Sequence, residues 1–266
     1  MRQELFPRKK LVAVCGKGGS GKTALVALMT KRLIQDGQTR LLVIDADPTM
    51  NLAGVLGLSP ERTVNDIREQ VIREARTAGR SEKEHLARSL DYLLFEALVE
   101  AGRFSFLVMG RPESLGCYCP VNDFLRDGIE TLAKSYDAIL IDGEAGVEQI
   151  NRQVMQGVDT LLIVSDLSSR GLETAALIKS VLDAHPEVFR VRQAGLVLNR
   201  VRDAGFQTEE AAGRTGLELF GVLPEDEAVA RLDMAGVPLI ELPDDAPALL
   251  AVGPILERVL TGASET

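Results

Sequence analysis

The stretch at residues 11–23 constrains the fold of this chain more than any other part of its sequence. It begins with the apolar run Leu-Val-Ala-Val-Cys, turns through four glycines and ends in Lys-Thr. This spacing satisfies the pattern G-x-x-x-x-G-K-[ST], in which backbone N–H groups surround phosphate oxygens at the start of a helix. A chance glycine-rich turn is the alternative. We therefore predict a buried strand, a phosphate-binding loop and a helix.

The predicted loop supplies most of the expected nucleotide contacts. Lys22 would bridge the β- and γ-phosphates, and the Thr23 hydroxyl would ligate Mg²⁺. Lys17 is a second cation in the same loop, so it either meets an anion of its own or is a solvated lysine at the loop tip. The candidate nucleotide-binding residues here are Gly16, Lys17, Gly18, Gly19, Ser20, Gly21, Lys22, Thr23 and Ala24.

The composition indicates a single α/β domain. A chain of 266 residues buries roughly 70–75% of its unfolded surface, which suffices for one core without disulfides. Aromatic residues make up only 4%, so a stacking surface for nucleic acid is disfavoured. The net charge of −9 likewise disfavours DNA and anionic membranes as partners. We expect a cytoplasmic protein, because no apolar run is long enough for a signal peptide or a bilayer span.

Acidic residues follow two further predicted strands. The apolar run at 41–44 leads into Asp45 and Asp47, and the run at 138–141 leads into Asp142. Ligands of open α/β sheets gather where strands end, so Asp142 is expected to bind Mg²⁺ through water. Helix capping or loop solvation is the alternative for Asp45 and Asp47.

Strands that alternate with helices along the whole chain predict its architecture. The pattern favours a doubly wound, mainly parallel sheet of about seven strands with helices on both faces, in one domain covering residues 1–266. Residues 59–104 are expected to form a charged helical excursion that starts near Ser59-Pro60. Residues 110–122 are expected to form a loop, and a last helix over 246–260 is expected to be interrupted at Gly253-Pro254.

The loop predicted over residues 110–122 contains a pair of cysteines, Cys117 and Cys119, between Gly116 and Pro120. Two thiolates supply half of a four-coordinate site, and a two-fold axis would supply the other half. Such a site suits Ni²⁺ or Zn²⁺, and ligand softness does not separate the two ions. The alternatives are a redox-sensitive pair and two incidental small residues. Cys15 is expected to be buried filler rather than a ligand.

The loop sequence from Lys17 to Thr23 resembles the deviant Walker A loop of MinD/ParA-type ATPases, which are P-loop NTPases. The resemblance implies ATP or ADP and Mg²⁺ as cofactors, ATP hydrolysis, and a homodimer closed by ATP. In that dimer Lys17 would reach the partner's nucleotide and offset charge on the transferred phosphoryl group. Asp47 would hold the attacking water, so Lys17, Lys22 and Asp47 are the catalytic candidates. Ala24 departs from the pattern, since many relatives have a second threonine there.

Two further matches to this family, later in the chain, concern the adenine base of the nucleotide. Asn199 stands where the family's asparagine contacts the adenine edge, although asparagine is also a common turn residue after a strand. A loop over the base is matched by Leu223, Pro224 and Glu225.

A narrower resemblance comes from residues 109–113 and 116–122, which read Met-Gly-Arg-Pro-Glu and Gly-Cys-Tyr-Cys-Pro-Val-Asn. They look like the nickel-insertion ATPases of the CooC type, which mature carbon monoxide dehydrogenase and acetyl-CoA synthase. The resemblance implies that Cys117 and Cys119 of two subunits share one metal ion. It also implies an apo form of one of these enzymes as the metal acceptor.

Two other functions remain open at the level of sequence. One is a ParA/MinD-like partition or positioning ATPase that assembles on DNA or membrane, which the acidic charge disfavours. The other is an iron–sulfur reductase related to the nitrogenase iron protein. That protein uses two well-separated cysteines per subunit as cluster ligands, and this pattern is absent from the sequence.

Overall fold

The computed structural model describes residues 10–37, 39–77, 92–111, 120–144, 157–203 and 205–261. Its strands are β1 (Lys10–Cys15), β2 (Leu41–Asp45), β3 (Val99–Ala101), β4 (Phe104–Val108), β5 (Ala138–Asp142), β6 (Gly157–Ser165), β7 (Arg190–Val201) and β8 (Glu218–Pro224). Its helices are α1 (Lys22–Asp36), α2 (Asn51–Val55), α3 (Val64–Thr77), α4 (92–97), α5 (Pro120–Ala133), α6 (Ser169–Ala184), α7 (Phe206–Thr215), α8 (Glu227–Ala235) and α9 (Pro247–Thr261).

The eight described strands form one sheet in the order β3-β4-β2-β5-β1-β6-β7-β8. Every neighbouring pair is parallel except β3 with β4. The parallel strands therefore end at one edge, where β2 and β5 place Asp45 beside Asp142 in register. The predicted doubly wound, mainly parallel α/β sheet is confirmed.

Helices cover both faces of this sheet because strand side chains alternate between them. Leu11, Ala13 and Cys15 of β1 belong to the core shared with α3, α5, α6 and α7. Val12 and Val14 belong to the opposite core, shared with α1, α2 and α9. With both faces covered, the central strands are continuous apolar runs, which is why the sequence predicts them.

The expectation of a wholly helical segment over 59–104 is wrong in two respects. Helix α3 starts after Thr63, not near Ser59-Pro60, because Thr63 and Asp66 cap each other. The Thr63 N–H donates to Asp66 Oδ2 at 2.8 Å, and the Asp66 N–H donates to Thr63 Oγ1 at 3.1 Å. The segment also contains the short strand β3, which turns through left-handed Gly102 into β4.

The other edge of the sheet is formed by β8, which was not predicted as a strand. The eight described strands agree with the prediction of about seven. Gly221 interrupts the apolar pattern of β8, but a Cβ there would overlap Ile255, so the glycine permits close packing of α9. Helix α9 itself continues through Gly253 and Pro254, and the predicted interruption is wrong. Packing of its apolar face against the sheet outweighs the hydrogen bond that proline removes.

Candidate nucleotide-binding site

The connection from β1 to α1 has the shape of a phosphate-binding loop. Gly16, Gly19 and Gly21 have φ angles of 139°, 78° and 96°, which favour glycine strongly. A Cβ on Gly16 would overlap the Val164 carbonyl of the neighbouring strand, so no larger residue fits there. Helix α1 then begins at Lys22 with no side-chain cap at Gly21. Its first N–H groups are therefore available to an anion.

The Lys22 amine and the Thr23 hydroxyl lie at the start of α1, beside the phosphate-binding loop. Lys22 is largely buried, and its Nζ lies 3.5 Å from the Lys17 carbonyl. Thr23 Oγ1 donates to Asp142 Oδ2 at 2.7 Å. The loop, the helix start and the end of β5 thus converge on one point.

Asp142 suits a divalent cation. Its Oδ1 atom is buried without a hydrogen-bond partner among the described residues. Burial raises the pKa of this carboxyl from 3.8 to about 7. Magnesium prefers oxygen ligands, and a hydroxyl beside an unsatisfied buried carboxylate oxygen is what such an ion would satisfy. Thr23 and Asp142 therefore fit Mg²⁺.

The two aspartates that follow β2 have different surroundings. Asp45 is fully buried and accepts hydrogen bonds from the N–H groups of Asp47 and Leu52, both at 3.1 Å. Burial raises the pKa of Asp45 to about 6. Asp47 is half-buried, and its carboxylate accepts the N–H and hydroxyl of Thr49 at 2.9 and 2.6 Å. Asp45 therefore holds the turn, and Asp47 remains the catalytic candidate.

Asp166, which follows β6, was not among the predicted site residues, and its carboxyl is within the electrostatic reach of Lys17. The pKa of its carboxyl is lowered chiefly by the Ser168 hydroxyl and further by the charge of Lys17. The position at the end of a parallel strand was a usable signal, since Asp45 and Asp142 were found by the same rule. In the single chain, Lys17 therefore has a carboxylate close enough to feel its charge.

Residues at the end of β7 contact the loop directly. Asn199 Nδ2 donates to the Ser20 carbonyl at 2.8 Å, and Arg200 Nη1 donates to the Gly19 carbonyl at 3.3 Å. Asn199, predicted as an adenine contact, is thus also tied to the phosphate loop. An amide nitrogen carries two N–H donors, so a contact with a base stays a prediction. Arg200 was not among the predicted site residues.

The segment predicted to lie over the base follows the same strand edge. Leu223 is buried and Pro224 pairs with Val201 at the end of β8. Glu225 is exposed and forms an ion pair with Arg202, which lowers the pKa of the Glu225 carboxyl. These residues lie beside the end of β7, and their contact with a base stays a prediction.

The predicted metal ligands Cys117 and Cys119 lie outside the described residues. Among the residues that the structure does describe, no cluster of three or more His, Cys, Asp or Glu side chains is placed to hold a metal ion. Cys15 is a buried free thiol whose pKa burial raises to about 12, in line with its prediction as filler.

The chain belongs to the CobQ/CobB/MinD/ParA family: residues 11–239 match the CbiA description, the CobQ/CobB/MinD/ParA nucleotide binding domain. The predicted family is therefore confirmed, and the protein is an ATP-binding NTPase of the MinD/ParA type.

Three similar proteins illustrate this membership. An uncharacterized ATP-binding protein of Methanocaldococcus jannaschii is 40% identical over 94% of this chain and 98% of its own length. The carbon monoxide dehydrogenase accessory protein CooC of Rhodospirillum rubrum is 32% identical over 93% and 97%. The MinC:MinD cell division complex of Aquifex aeolicus contains a chain with a TM-score of 0.71, 22% identity, and coverage of 97% and 98%. The last similarity concerns the fold.

No helix within the described ranges has the length and apolar character that crossing a bilayer requires.

Proposed function

We propose that this protein is an ATP-dependent nickel-insertion factor. Two subunits would bind one Ni²⁺ ion through Cys117 and Cys119 of each, and would deliver it to apo carbon monoxide dehydrogenase or acetyl-CoA synthase. Nickel is the cargo, and hydrolysis of ATP would open the dimer and release it. Four thiolates also suit Zn²⁺, so the competing ion belongs in every binding measurement.

Two observations together support this proposal: the pair Cys117 and Cys119, and the similarity of the whole chain to a protein that serves carbon monoxide dehydrogenase. That relative, similar over 93% of this chain, is a carbon monoxide dehydrogenase accessory protein. The pair stands within the sequence Gly-Cys-Tyr-Cys-Pro-Val-Asn, on which the resemblance to nickel-insertion ATPases rests.

The start of the cysteine-containing segment supports a connection with the nucleotide site. The Met109 N–H donates to the Asp45 carbonyl at 2.8 Å, and the Ala46 N–H donates to the Asp142 carbonyl at 2.8 Å. The segment therefore departs from the sheet beside the strand ends that carry Asp47 and Asp142. If these strand ends moved on ATP hydrolysis, the hydrogen bond from Met109 to Asp45 would transmit the movement to the cysteine-containing segment.

The chain's own groups would divide the work of hydrolysis. Lys22 at the start of α1 would neutralise phosphate charge, and Asp47 would orient the attacking water. Lys17, whose charge helps to lower the pKa of the Asp166 carboxyl in the single chain, would turn from that carboxylate to the partner's phosphate when two subunits meet. Mg²⁺ held by Thr23 and Asp142 would supply further charge neutralisation.

ATP can drive metal capture only by favouring one dimer arrangement over another. The interaction of Lys17 with the partner's γ-phosphate would provide that preference, because ADP lacks this group. We therefore expect tighter nickel binding by the ATP-bound dimer than by the ADP-bound protein.

The test compares nickel stoichiometry in the wild type and in a Cys117→Ser/Cys119→Ser double variant, each with ATP and Mg²⁺. We expect about one nickel per two chains in the wild type and none in the double variant. The two proteins should have the same ATP affinity when nickel is absent, because coupling to the metal acts only when the metal is present. Cys15→Ala is the matched control, because it removes the buried thiol and leaves the pair. Unchanged nickel stoichiometry in the double variant would exclude this site.

The partition or positioning function is tested on the same samples. A DNA or membrane ATPase would be retained on DNA or on anionic vesicles in an ATP- and salt-dependent manner. We expect no such retention at physiological salt, given the net charge of −9. Retention together with absent nickel binding would replace the insertion function by the positioning function.

A further inference from the structure

The end of β7 contains an irregularity that base recognition does not explain. Leu198 pairs with Val222, and Val201 pairs with Pro224, so β7 has one residue more than β8 between these pairs. Such an extra residue is a β-bulge, and bulges beside active sites redirect side chains. The bulge contains Asn199 and Arg200.

The backbone of Arg200 is left-handed, with a φ angle of 58°. This conformation is unfavourable for a residue with a Cβ and persists where the surroundings enforce it. Asn199 Oδ1 accepts the Arg200 N–H at 2.9 Å and so stabilises the unusual residue. Through it, the Arg200 side chain turns toward the phosphate loop.

Both bulged residues donate to consecutive carbonyl groups of the loop. Asn199 reaches the Ser20 carbonyl at 2.8 Å, and Arg200 reaches the Gly19 carbonyl at 3.3 Å. A Cβ on Gly21 would overlap the Asn199 amide, which shows how closely bulge and loop approach. The Asn199 contact is therefore part of the packed structure of the loop, whereas the Arg200 contact lies at its surface.

These two bonds fix the direction of loop N–H groups. In a planar trans peptide the C=O and the following N–H point in opposite directions. By holding the Ser20 carbonyl, Asn199 directs the Gly21 N–H to the opposite side of this peptide, away from the Asn199 side chain. By holding the Gly19 carbonyl, Arg200 fixes the preceding peptide, Gly19–Ser20, whose N–H donates to the Lys17 carbonyl at 3.1 Å.

The loop apex has little other support. A Cβ on Gly18 or Gly19 would have no heavy atom within 4 Å, so the side of these glycines on which a side chain would stand is open. Two flexible glycines in an exposed turn would rotate their peptides readily without an external restraint. The bulge supplies such a restraint from outside the loop.

We propose that the β7 bulge holds the phosphate loop in its anion-binding shape before nucleotide arrives, with Arg200 as a positioning residue. The inference rests on nucleotide binding at the loop and is independent of the nickel proposal. A pre-formed loop avoids ordering its peptides on binding, so affinity for any nucleotide with a β-phosphate benefits. Base identity and the γ-phosphate are not involved.

The test combines hydrogen exchange with nucleotide affinity in Arg200→Ala. Arg202→Ala is the matched control, since Arg202 is also exposed and its ion-pair partner is Glu225 rather than the loop. In the nucleotide-free protein we expect faster amide exchange over residues 16–21 in Arg200→Ala only. We expect ADP, ATP and GTP each to lose about fivefold in affinity, the size of one typical hydrogen bond.

Two further measurements separate positioning from other roles. Arg200→Lys keeps the charge and a donor, and we expect it to recover part of the exchange protection. The melting temperature of Arg200→Ala should match that of Arg202→Ala. Unchanged amide exchange over residues 16–21 in Arg200→Ala would overturn the proposal. A loss of affinity confined to ATP or to adenine nucleotides would also overturn it, and would make Arg200 a direct nucleotide contact. A nickel site that fails its own test leaves these outcomes unaffected.

Discussion

Replacing Asp142 by asparagine should stabilise the nucleotide-free protein while damaging its metal site. The carboxylate is buried at the end of β5, with one oxygen bonded to Thr23 and the other without a partner among the described residues. An ionised carboxylate in this position is unfavourable until a cation arrives. Asparagine keeps the acceptor for the Thr23 hydroxyl and removes the charge.

The magnitude follows from the pKa of Asp142, which burial raises from 3.8 to about 7. At about 1.36 kcal/mol per tenfold change in proton affinity, the ionised group destabilises the fold by roughly 4 kcal/mol above pH 7. The amide nitrogen of asparagine is left without an acceptor, which costs about 1–3 kcal/mol. A net stabilisation of roughly 2 kcal/mol is therefore expected at pH 8.

The pH dependence has a definite sign. The folded state binds the proton of Asp142 more tightly than the unfolded chain does, so the penalty in the wild type is complete above pH 7. As the pH falls below 7, the wild type takes up this proton and the penalty declines toward zero near pH 4. The advantage of Asp142→Asn should accordingly shrink from pH 8 to pH 5 and change sign there.

The assay is urea unfolding of both proteins at pH 8, 6.5 and 5, with EDTA and without nucleotide. Asp137→Asn is the matched control, because Asp137 precedes the same strand and its ion pair with Arg40 lowers the pKa of its carboxyl. This control should be slightly less stable than the wild type at pH 8. An Asp142→Asn protein that is less stable than the wild type at pH 8 would refute the reasoning.

Three further predictions concern other positions. Asp226 accepts the Ala228 N–H at 2.8 Å and the Ala248 N–H at 3.0 Å, so it caps α8 and α9 together. Asp226→Ala should lower the free energy of unfolding by about 2 kcal/mol in urea titrations, with no matching loss in Asp233→Ala on the same helix. Gly110 has a φ of 81°, and a Cβ there would lie 2.8 Å from that of Thr63, so Gly110→Ala should cost about 1–3 kcal/mol by the same measurement. Lys17→Gln should abolish ATP turnover in a phosphate-release assay while ADP affinity stays within about threefold of the wild type; loss of both would make Lys17 a general phosphate contact.

The buried part of the fold was predictable because it follows from continuous apolar runs. Strands β1, β2, β5, β6 and β7 lie between helical layers, so the buried parts of their sequences consist mainly of Val, Leu, Ile and Ala. The edge strands β3 and β8 carry glutamate, glycine and proline, and their pairing depends on neighbours distant in sequence. Short edge strands are set by tertiary contacts rather than by local pattern.

The site divides in a similar way. The phosphate loop and Asp142 were predictable, because a fixed spacing and a strand end specify them. Arg200 was not, because its role depends on a left-handed backbone and a bulge that only the pairing of β7 with β8 reveals. Asp166 belongs between these cases, since its position after a strand was visible in the sequence and the effect of the Lys17 charge on its carboxyl was not.

The most direct test of the central claim, that nucleotide and metal are coupled, is a nickel titration with and without a non-hydrolysable ATP analogue. Dimer fraction and bound nickel are measured in the same samples. Coupling between two binding sites is reciprocal, so nickel must tighten nucleotide binding by the same factor by which nucleotide tightens nickel binding. We predict at least a tenfold effect in both directions, about 1.4 kcal/mol, accompanied by dimer formation. Equal nickel affinities with and without the analogue would contradict the account.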